Sequence, residues 1–166
     1  MGIDGKEYLV RDLMRPVVVL KDSIDLKEAL AQLVKERSNI AGVVDDNGSF
    51  IGAVSTVSII RAVLPDYMEA DIVAAKFADD KLLKEDALRA AGKLLHEFVH
   101  TTEDVVKPDD NLLSATVTSA GHGTGRIFVL DEDGKPVGLL TRTEIKQVLA
   151  AFLGVNPELH EKCKHD

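Results

Sequence analysis

Ile127–Ile145, reading IFVLDEDGKPVGLLTRTEI, joins two strand-like runs, a tight turn and a helix start with no residue to spare. Ile127 to Leu130 is apolar until Asp131 closes it, Asp133-Gly134 is a two-residue hairpin signal, Val137 to Leu140 is apolar again, and Thr141 opens a helix. The same events occur earlier, where Val43-Val44-Asp45-Asp46-Asn47-Gly48 leads through Ile51-Gly52-Ala53-Val54 to Ser55. The two copies stand a constant 86 residues apart, with Asp131 on Asp45, Gly134 on Gly48, Gly138 on Gly52, Thr141 on Ser55 and Ile145 on Ile59. A repeat that switches from strand to helix periodicity predicts an α/β fold built twice.

Outward from the first copy, Val17–Leu20 reads as a strand after Pro16, whose ring sets the entry. Asp22 or Ser23 is expected to cap a helix with Leu26, Ala29, Leu30, Leu33 and Val34 on one apolar face. Ile40–Val44 and Phe50–Val54 form the hairpin. Ser55–Leu64 is a helix with Ile59, Ile60 and Val63 inward, ended by Pro65. The unit reads β-α-β-β-α.

Residues 66–98 read as a helical insertion of two helices, with a break and a new N-cap at Asp79-Asp80. An apolar stripe of Ala87, Ala91, Leu94, Leu95 and Phe98 follows. The second copy starts with a strand at Asp104–Lys107 and a helix at Asp110–Ala120, weakened by Thr116, Val117, Thr118 and Ser119. Gly121, Gly123 and Gly125 predict a flexible turn. The last helix, Glu144–Leu153, puts Ile145, Val148, Leu149 and Phe152 on one face and stops at Gly154. Met1–Leu13 reads as a polar lead-in with Tyr8, Leu9 and Leu13 able to tuck against the body. The division is 8–65 for the first repeat, 66–98 for the insertion, 99–154 for the second repeat and 155–166 for a polar tail.

At 166 residues the chain can bury a real core, and 45% hydrophobic content with 4% aromatic and no Trp makes that core aliphatic. Few aromatics oppose base stacking, and a net charge of −8 opposes nucleic acid and anionic membranes as partners. One cysteine, Cys163, excludes an intramolecular disulfide framework. No signal peptide and no apolar run of the ~20 residues a membrane span needs is visible, so a cytoplasmic location is expected.

Strands that are apolar at successive positions need cover on both sheet faces. Each unit supplies helices for one face, so the two sheets are expected to pack together with pseudo-twofold symmetry, leaving a cleft at the junction. The elements in order resemble a tandem pair of CBS (cystathionine β-synthase) domains over Val10–Val63 and Val99–Leu153. The resemblance rests on Val10-Arg11-Asp12-Leu13-Met14, on the strand ends Val43–Asp45 and Val129–Asp131, and on the turns Gly52–Ser55 and Gly138–Thr141. It implies a regulatory module, not an enzyme, that binds an adenosine-containing molecule of the AMP, ADP or ATP class in the cleft. It also implies a homodimer that relays occupancy to a regulated protein. S-adenosylmethionine or NAD is an alternative ligand, and a ligand-free oligomerisation or interaction module an alternative function.

The family's ligand motif is Gly-h-x-Thr/Ser-x-x-Asp, with the hydroxyl on phosphate and the aspartate on the ribose diol. It falls on Gly138–Glu144 in the second repeat, where Thr141 and Glu144 take those roles, Glu144 one methylene longer than the family's aspartate. Thr141 near a helix N-terminus suits an anion on general grounds, and Arg142 adds a charged donor. In the first repeat the motif falls on Gly52–Ser58, with Ser55 as the hydroxyl and Ser58 where the carboxylate belongs. The second-repeat site is therefore expected to be the better nucleotide site. By resemblance, Ile127 and Phe128, Ala41 and Gly42, and Val105 and Val19 would wall the adenine. Each assignment has a plainer counterpart: Thr-x-x-Glu is a capping box, Arg142 a solvated side chain, and Ile127, Val105 and Val19 core residues.

Gly121-His122-Gly123-Thr124-Gly125 follows a helix and precedes a strand, the wrong order for a phosphate loop, and lacks Gly-Lys-Ser/Thr. His122 and Arg126 could border the cleft, and His100 could approach a phosphate, although each reads first as a surface residue. His160, Cys163 and His165 on the tail do not make a closed metal site, and no metal or required cofactor is expected. No catalytic constellation stands out.

Overall fold

The computed structural model describes residues 7–65, 73, 76–77, 79–122 and 125–155. In chain order the elements are α1 (Val10–Leu13), β1 (Val19–Lys21), α2 (Leu26–Lys35), β2 (Ile40–Val44), β3 (Phe50–Ser55), α3 (Thr56–Val63), α4 (Asp80–Ala90), β4 (Val105–Val106), α5 (Leu112–His122), β5 (Arg126–Leu130), β6 (Pro136–Thr141) and α6 (Arg142–Phe152). They fall into two compact units, one of Val18–Thr101 and one of Met1–Val17 with Thr102–Asp166.

In the unit of Val18–Thr101, β1 runs parallel to β2 and β2 antiparallel to β3, in the order β1-β2-β3. All five residues of β2 are buried, as a central strand covered on both faces requires. The core is aliphatic, with Leu20, Leu26, Ala29, Leu33, Ala41, Val43, Val54, Ile59, Ala90 and Leu95 all buried.

The apolar faces are narrower than expected. Leu26, Ala29 and Leu33 of α2 are buried, but Leu30 and Val34 are 40% and 69% exposed, and Ile60 of α3 is 50% exposed. A helix lying on one sheet buries a single i, i+3, i+7 line and leaves the flanking i+4 positions at its margin. The α2 cap is Asp25, whose carboxylate accepts from the Glu28 N–H at 2.8 Å. Asp22 and Ser23 sit in the preceding turn, where the Asp22 N–H already donates to the Val44 carbonyl at 3.0 Å.

Asp79 caps α4 as expected, accepting from the Leu82 N–H at 3.1 Å. The anticipated stripe from Ala87 to Phe98 does not form one helix face. The helix ends at Ala90, Leu94 is exposed, and Leu95–Glu97 is a short 3-10 turn with Leu95 in the core. Backbone bonds from the Leu26 N–H to the Lys93 carbonyl and from the Leu95 N–H to the Ile24 carbonyl, each 2.8 Å, draw this segment alongside the start of α2. The first expected insertion helix lies outside the described residues for most of its length.

The second unit repeats the sheet as β4-β5-β6, parallel then antiparallel. Its core gathers Val106, Ala115, Ile127, Val129, Leu140 and Ile145 together with Val10. The reading of Met1–Leu13 as a polar lead-in is corrected at this point: Val10 has no exposed surface, and the N–H groups of Val10 and Arg11 donate to the carbonyls of Asp110 and Pro108, each at 2.9 Å. Tyr8 does tuck in, its ring 6.4 Å from that of Phe152. Leu149 and Phe152 are 48% and 41% exposed, so α6 too buries a narrower face than its sequence suggests.

Helix α5 continues through Gly121 and His122 despite its weak formers. The Thr116 and Thr118 hydroxyls donate to the carbonyls of Leu112 and Ser114, one turn back, which spares them from competing for the helical N–H groups. Gly123 and Thr124 of the expected flexible turn lie outside the described residues.

The hairpin loops differ from the two-residue form. In each the pairing closes one step further out: the Asp131 N–H donates to the Lys135 carbonyl at 2.9 Å, and the Asp45 N–H to the Ser49 carbonyl at 3.0 Å. Gly134 (φ 75°) and Gly48 (φ 79°) then occupy the left-handed position after a three-residue turn. Each preceding aspartate accepts from two backbone N–H groups, Asp131 from Asp133 and Lys135, Asp45 from Asn47 and Ser49. That Asx closure is what draws the extra residue into the turn.

Candidate functional site

In each unit a short lead-in segment adds to the free edge of the sheet. Arg15 and Leu139 exchange two backbone hydrogen bonds of 2.9 Å, and Ala53 and His100 exchange two of 2.9 and 3.0 Å. Met14 and His100 come so close to Gly138 and Gly52 that a Cβ on either glycine would overlap them, on the Met14 side chain in one case and the His100 carbonyl in the other. The Gly-x-x-hydroxyl turn of each motif is thus pinned by the same kind of bridge, at equivalent places in the two repeats.

The side chains at those places diverge. In the second repeat Thr141 is the N-cap of α6, its Oγ1 accepting from the Thr143 N–H at 3.2 Å. Glu144 Oε2 accepts from the Thr141 N–H at 2.7 Å and from the Thr141 hydroxyl at 2.5 Å. Its Oε1 meets Arg15 Nε at 3.0 Å, and the residue is only 6% exposed. The capping box is complete, and both carboxylate oxygens are engaged. The Arg142 side chain lies against Gly125, and the Arg142 backbone N–H donates to the Gly125 carbonyl at 3.0 Å.

In the first repeat Ser55 caps α3, and Ser58 replaces the carboxylate. Ser55 and Ser58 hydroxyls are 3.0 Å apart, the Ser58 N–H donates to Ser55 Oγ at 3.2 Å, and the Ser55 N–H to Ser58 Oγ at 3.3 Å. Ser58 Oγ lies 3.4 Å from His100 Nδ1. Beside this pair opens a cavity of about 550 Å³, lined by Ser55, Val57, Ser58, Arg61 and Ala62 of β3 and α3, and by Lys93, Glu97, Phe98 and His100. Lys93 Nζ donates to the Ala62 carbonyl at 2.9 Å, and Glu97 Oε1 accepts from the Leu94 N–H at 3.2 Å. Burial lowers the His100 pKa below its ordinary 6.5, so the neutral ring is favoured there.

The remaining sequence-derived residues are placed as follows. Ile127, Phe128 and Ala41 are buried at 0–1% exposure inside the two sheets. Val19 and Val105 are not core: they stand opposite Gly42 and Phe128 on two outer strands and are 43% and 37% exposed. Ser55, Ser58 and His100 are brought together around one cavity, whereas Thr141 and Glu144 are joined to Arg15. Arg15, Arg61, Lys93 and Glu97 join these sites without being singled out by the sequence. Only Arg15 has a signal, the alignment of Met14-Arg15 with Val99-His100, which is 85 residues apart and so falls one out of step with the repeat.

Among the described residues no group of three or more His, Cys, Asp and Glu could hold a metal ion, and no helix is long and apolar enough to cross a membrane. The expected tail ligands lie outside the described residues.

The uncharacterised protein MJ1426 of Methanocaldococcus jannaschii is 22% identical over 164 residues, covering 90% of this chain and 95% of that protein. The CBS-pair protein CBSX2 of Arabidopsis thaliana is 27% identical in its crystal structure, with a TM-score of 0.67 over 90% of this chain and 97% of that one. CBSX2 has also been solved in complex with AMP, at 28% identity and a TM-score of 0.61 over 89% of this chain and 98% of that one. The cytosolic domain of the Mg2+ channel MgtE, solved with ATP, shares the fold at 20% identity and a TM-score of 0.60, covering 82% of this chain and 46% of that one. The CBS domain pattern itself matches twice, at residues 10–65 and 96–151. Two matched repeats, each with its three-stranded sheet and its hydroxyl-capped helix, place the chain in the CBS domain family as a CBS pair.

Proposed function

We propose that this CBS pair is a non-catalytic regulatory module that binds an adenine nucleotide and relays its occupancy to a partner protein. The observation that carries the reading is the cavity at the start of α3, where two serine hydroxyls and a helix N-terminus face Arg61, Lys93 and His100. The positive end of the α3 dipole favours an anionic phosphate, and the Arg61 guanidinium and the Lys93 ammonium add charged donors. AMP on CBSX2 and ATP on the MgtE domain are consistent with the same ligand class. Thr141 and Glu144 remain the candidate pair in the second repeat, with Ile127, Phe128, Ala41, Val105 and Val19 as candidate neighbours of the base.

Thermal-shift measurements with AMP, ADP, ATP, S-adenosylmethionine and NAD test the reading. At 100 times its dissociation constant a ligand adds roughly 2.7 kcal/mol, so at least one adenine compound is expected to raise Tm clearly. No shift with any of them would sink the proposal.

Self-association is supported by a separate observation. Leu30 and Val34 on α2, Leu149 and Phe152 on α6, and Leu153 just after it are all at least 40% exposed. A homodimer covering such faces is expected, and light scattering coupled to gel filtration reads it directly; a monomer at all concentrations would reject it.

A further inference from the structure

The Glu144 carboxylate is engaged on both oxygens by its own unit. Oε2 accepts from the Thr141 N–H at 2.7 Å and from the Thr141 hydroxyl at 2.5 Å, and Oε1 accepts from Arg15 Nε at 3.0 Å. A carboxylate offers about four lone-pair sites, so most of its capacity is taken, and the residue is only 6% exposed. The contacts with Thr141 belong to the helix cap. Arg15 comes from a segment far away in sequence.

The backbone of Arg15 is anchored while its side chain is not. Its N–H and carbonyl both pair with Leu139 at 2.9 Å, Met14 before it lies against Gly138, and Pro16 follows it. The side chain is 54% exposed, so the guanidinium can leave Glu144 for water without breaking the bridge to Leu139. An ion pair with one partner in solvent is weak enough to open and, when closed, fills the carboxylate. At the equivalent place in the first repeat His100 pairs with Ala53, and its Nδ1 stands 3.4 Å from Ser58 Oγ. That contact joins a ring to a hydroxyl, so the two lead-ins meet their helices by different chemistry.

A vicinal diol donates two O–H groups and needs acceptor sites on a carboxylate that are in reach and open. Release of Arg15 returns Oε1 and uncovers it. We infer that Arg15 is an autoinhibitory latch on the second repeat: its guanidinium holds Glu144 Oε1 in place of a ligand's diol, and the site admits a nucleoside only when Arg15 swings into solvent. The inference rests on the proposed nucleotide-binding function and names how its second site is regulated. Apparent affinity there is reduced by the fraction of molecules in which the latch is open.

Two measurements on the full chain, with wild type and Arg15→Ala, test the latch. The first is carbodiimide-driven amidation of carboxylates with glycine ethyl ester, read residue by residue by mass spectrometry; the second is calorimetric titration with adenosine and AMP. In Arg15→Ala, labelling of Glu144 relative to the exposed Glu103 is expected to rise about fivefold or more, and adenosine to bind tighter by a similar factor. That gain is expected to vanish when Arg15→Ala is combined with Glu144→Gln. Circular dichroism checks that each variant folds, and Arg15→Gln serves where Arg15→Ala does not. Unchanged labelling of Glu144 in the folded variant overturns the inference. So does adenosine or AMP binding that wild type shows and the variant fails to improve, which would make Arg15 a bystander or a ligand contact. If labelling rises but neither adenosine nor AMP binds any of the proteins, the latch stands and the nucleotide reading fails.

Discussion

Glu144 and Ser58 occupy equivalent places and make opposite demands on their surroundings. The buried Glu144 carboxylate is held by three donors, so Glu144→Ala removes the capping-box partner and strands the Arg15 and Thr141 groups. Arg15 is half exposed and rehydrates, which keeps the expected cost at about 1–2 kcal/mol, a Tm fall of about 3–6 °C. Ser58→Ala breaks a neutral box and is expected to cost less; a larger fall for Ser58→Ala in parallel melts would reverse this ranking. His100 adds a pH dependence. Its folded pKa is lowered, so the unfolded chain binds the proton more tightly, and the stability it contributes is complete above pH 6.5 and lost as pH falls below that value. Arg61, Lys93 and Glu97 line the same cavity as His100. In urea unfolding across pH 7 to about 5, His100→Gln is expected to flatten part of the decline; an unchanged slope would assign the decline to other groups.

At the scale of elements, the repeat was legible because its hairpin and helix start are local signals. The Thr-x-x-Glu box formed as written, and Asp79 capped its helix. Misreadings came where a local signal competes with a neighbour. Asp25 capped α2 because Asp22 was held in the turn by β2, and the Asp-Gly and Asn-Gly pairs were drawn into a longer loop by Asp131 and Asp45. In that loop Gly134 sits at a left-handed φ with nothing near its Cα that a methyl would strike. Gly134→Ala is therefore expected to cost about 1 kcal/mol from backbone strain alone. Gly52→Ala adds an overlap with the His100 carbonyl, a backbone atom that cannot move aside, and is expected to cost clearly more. Equal losses in chemical denaturation would show that the His100 bridge yields. Arg15 and Lys93 escaped the sequence reading for the same reason: their roles arise from chain segments distant in sequence, and no local pattern marks them.

At the scale of the whole molecule, chain order and packing order part company. Residues 10–17 open the first matched segment, yet Val10 is buried with Val106, Ile127, Val129 and Leu140 of the second. Residues 96–101 likewise open the second matched segment, while Phe98, Val99 and His100 pack or pair within the unit of Val18–Thr101. Each unit therefore owns a core that includes a segment matched to the other repeat, and damage to that segment should be felt across the sequence rather than next door. Val10→Ala deletes two methyl groups from a fully buried site, at a cost of about 1.5–3 kcal/mol. Because the two cores are separate clusters, each can open with its own free energy. Native-state hydrogen exchange on Val10→Ala is then expected to speed the amides of β5 and β6, more than 100 residues away in sequence, while those of β2 and β3 keep most of their protection. Equal acceleration in both sheets would mean that the two cores unfold as one cooperative body, and the exchanged lead-ins would be the first place to look for the coupling.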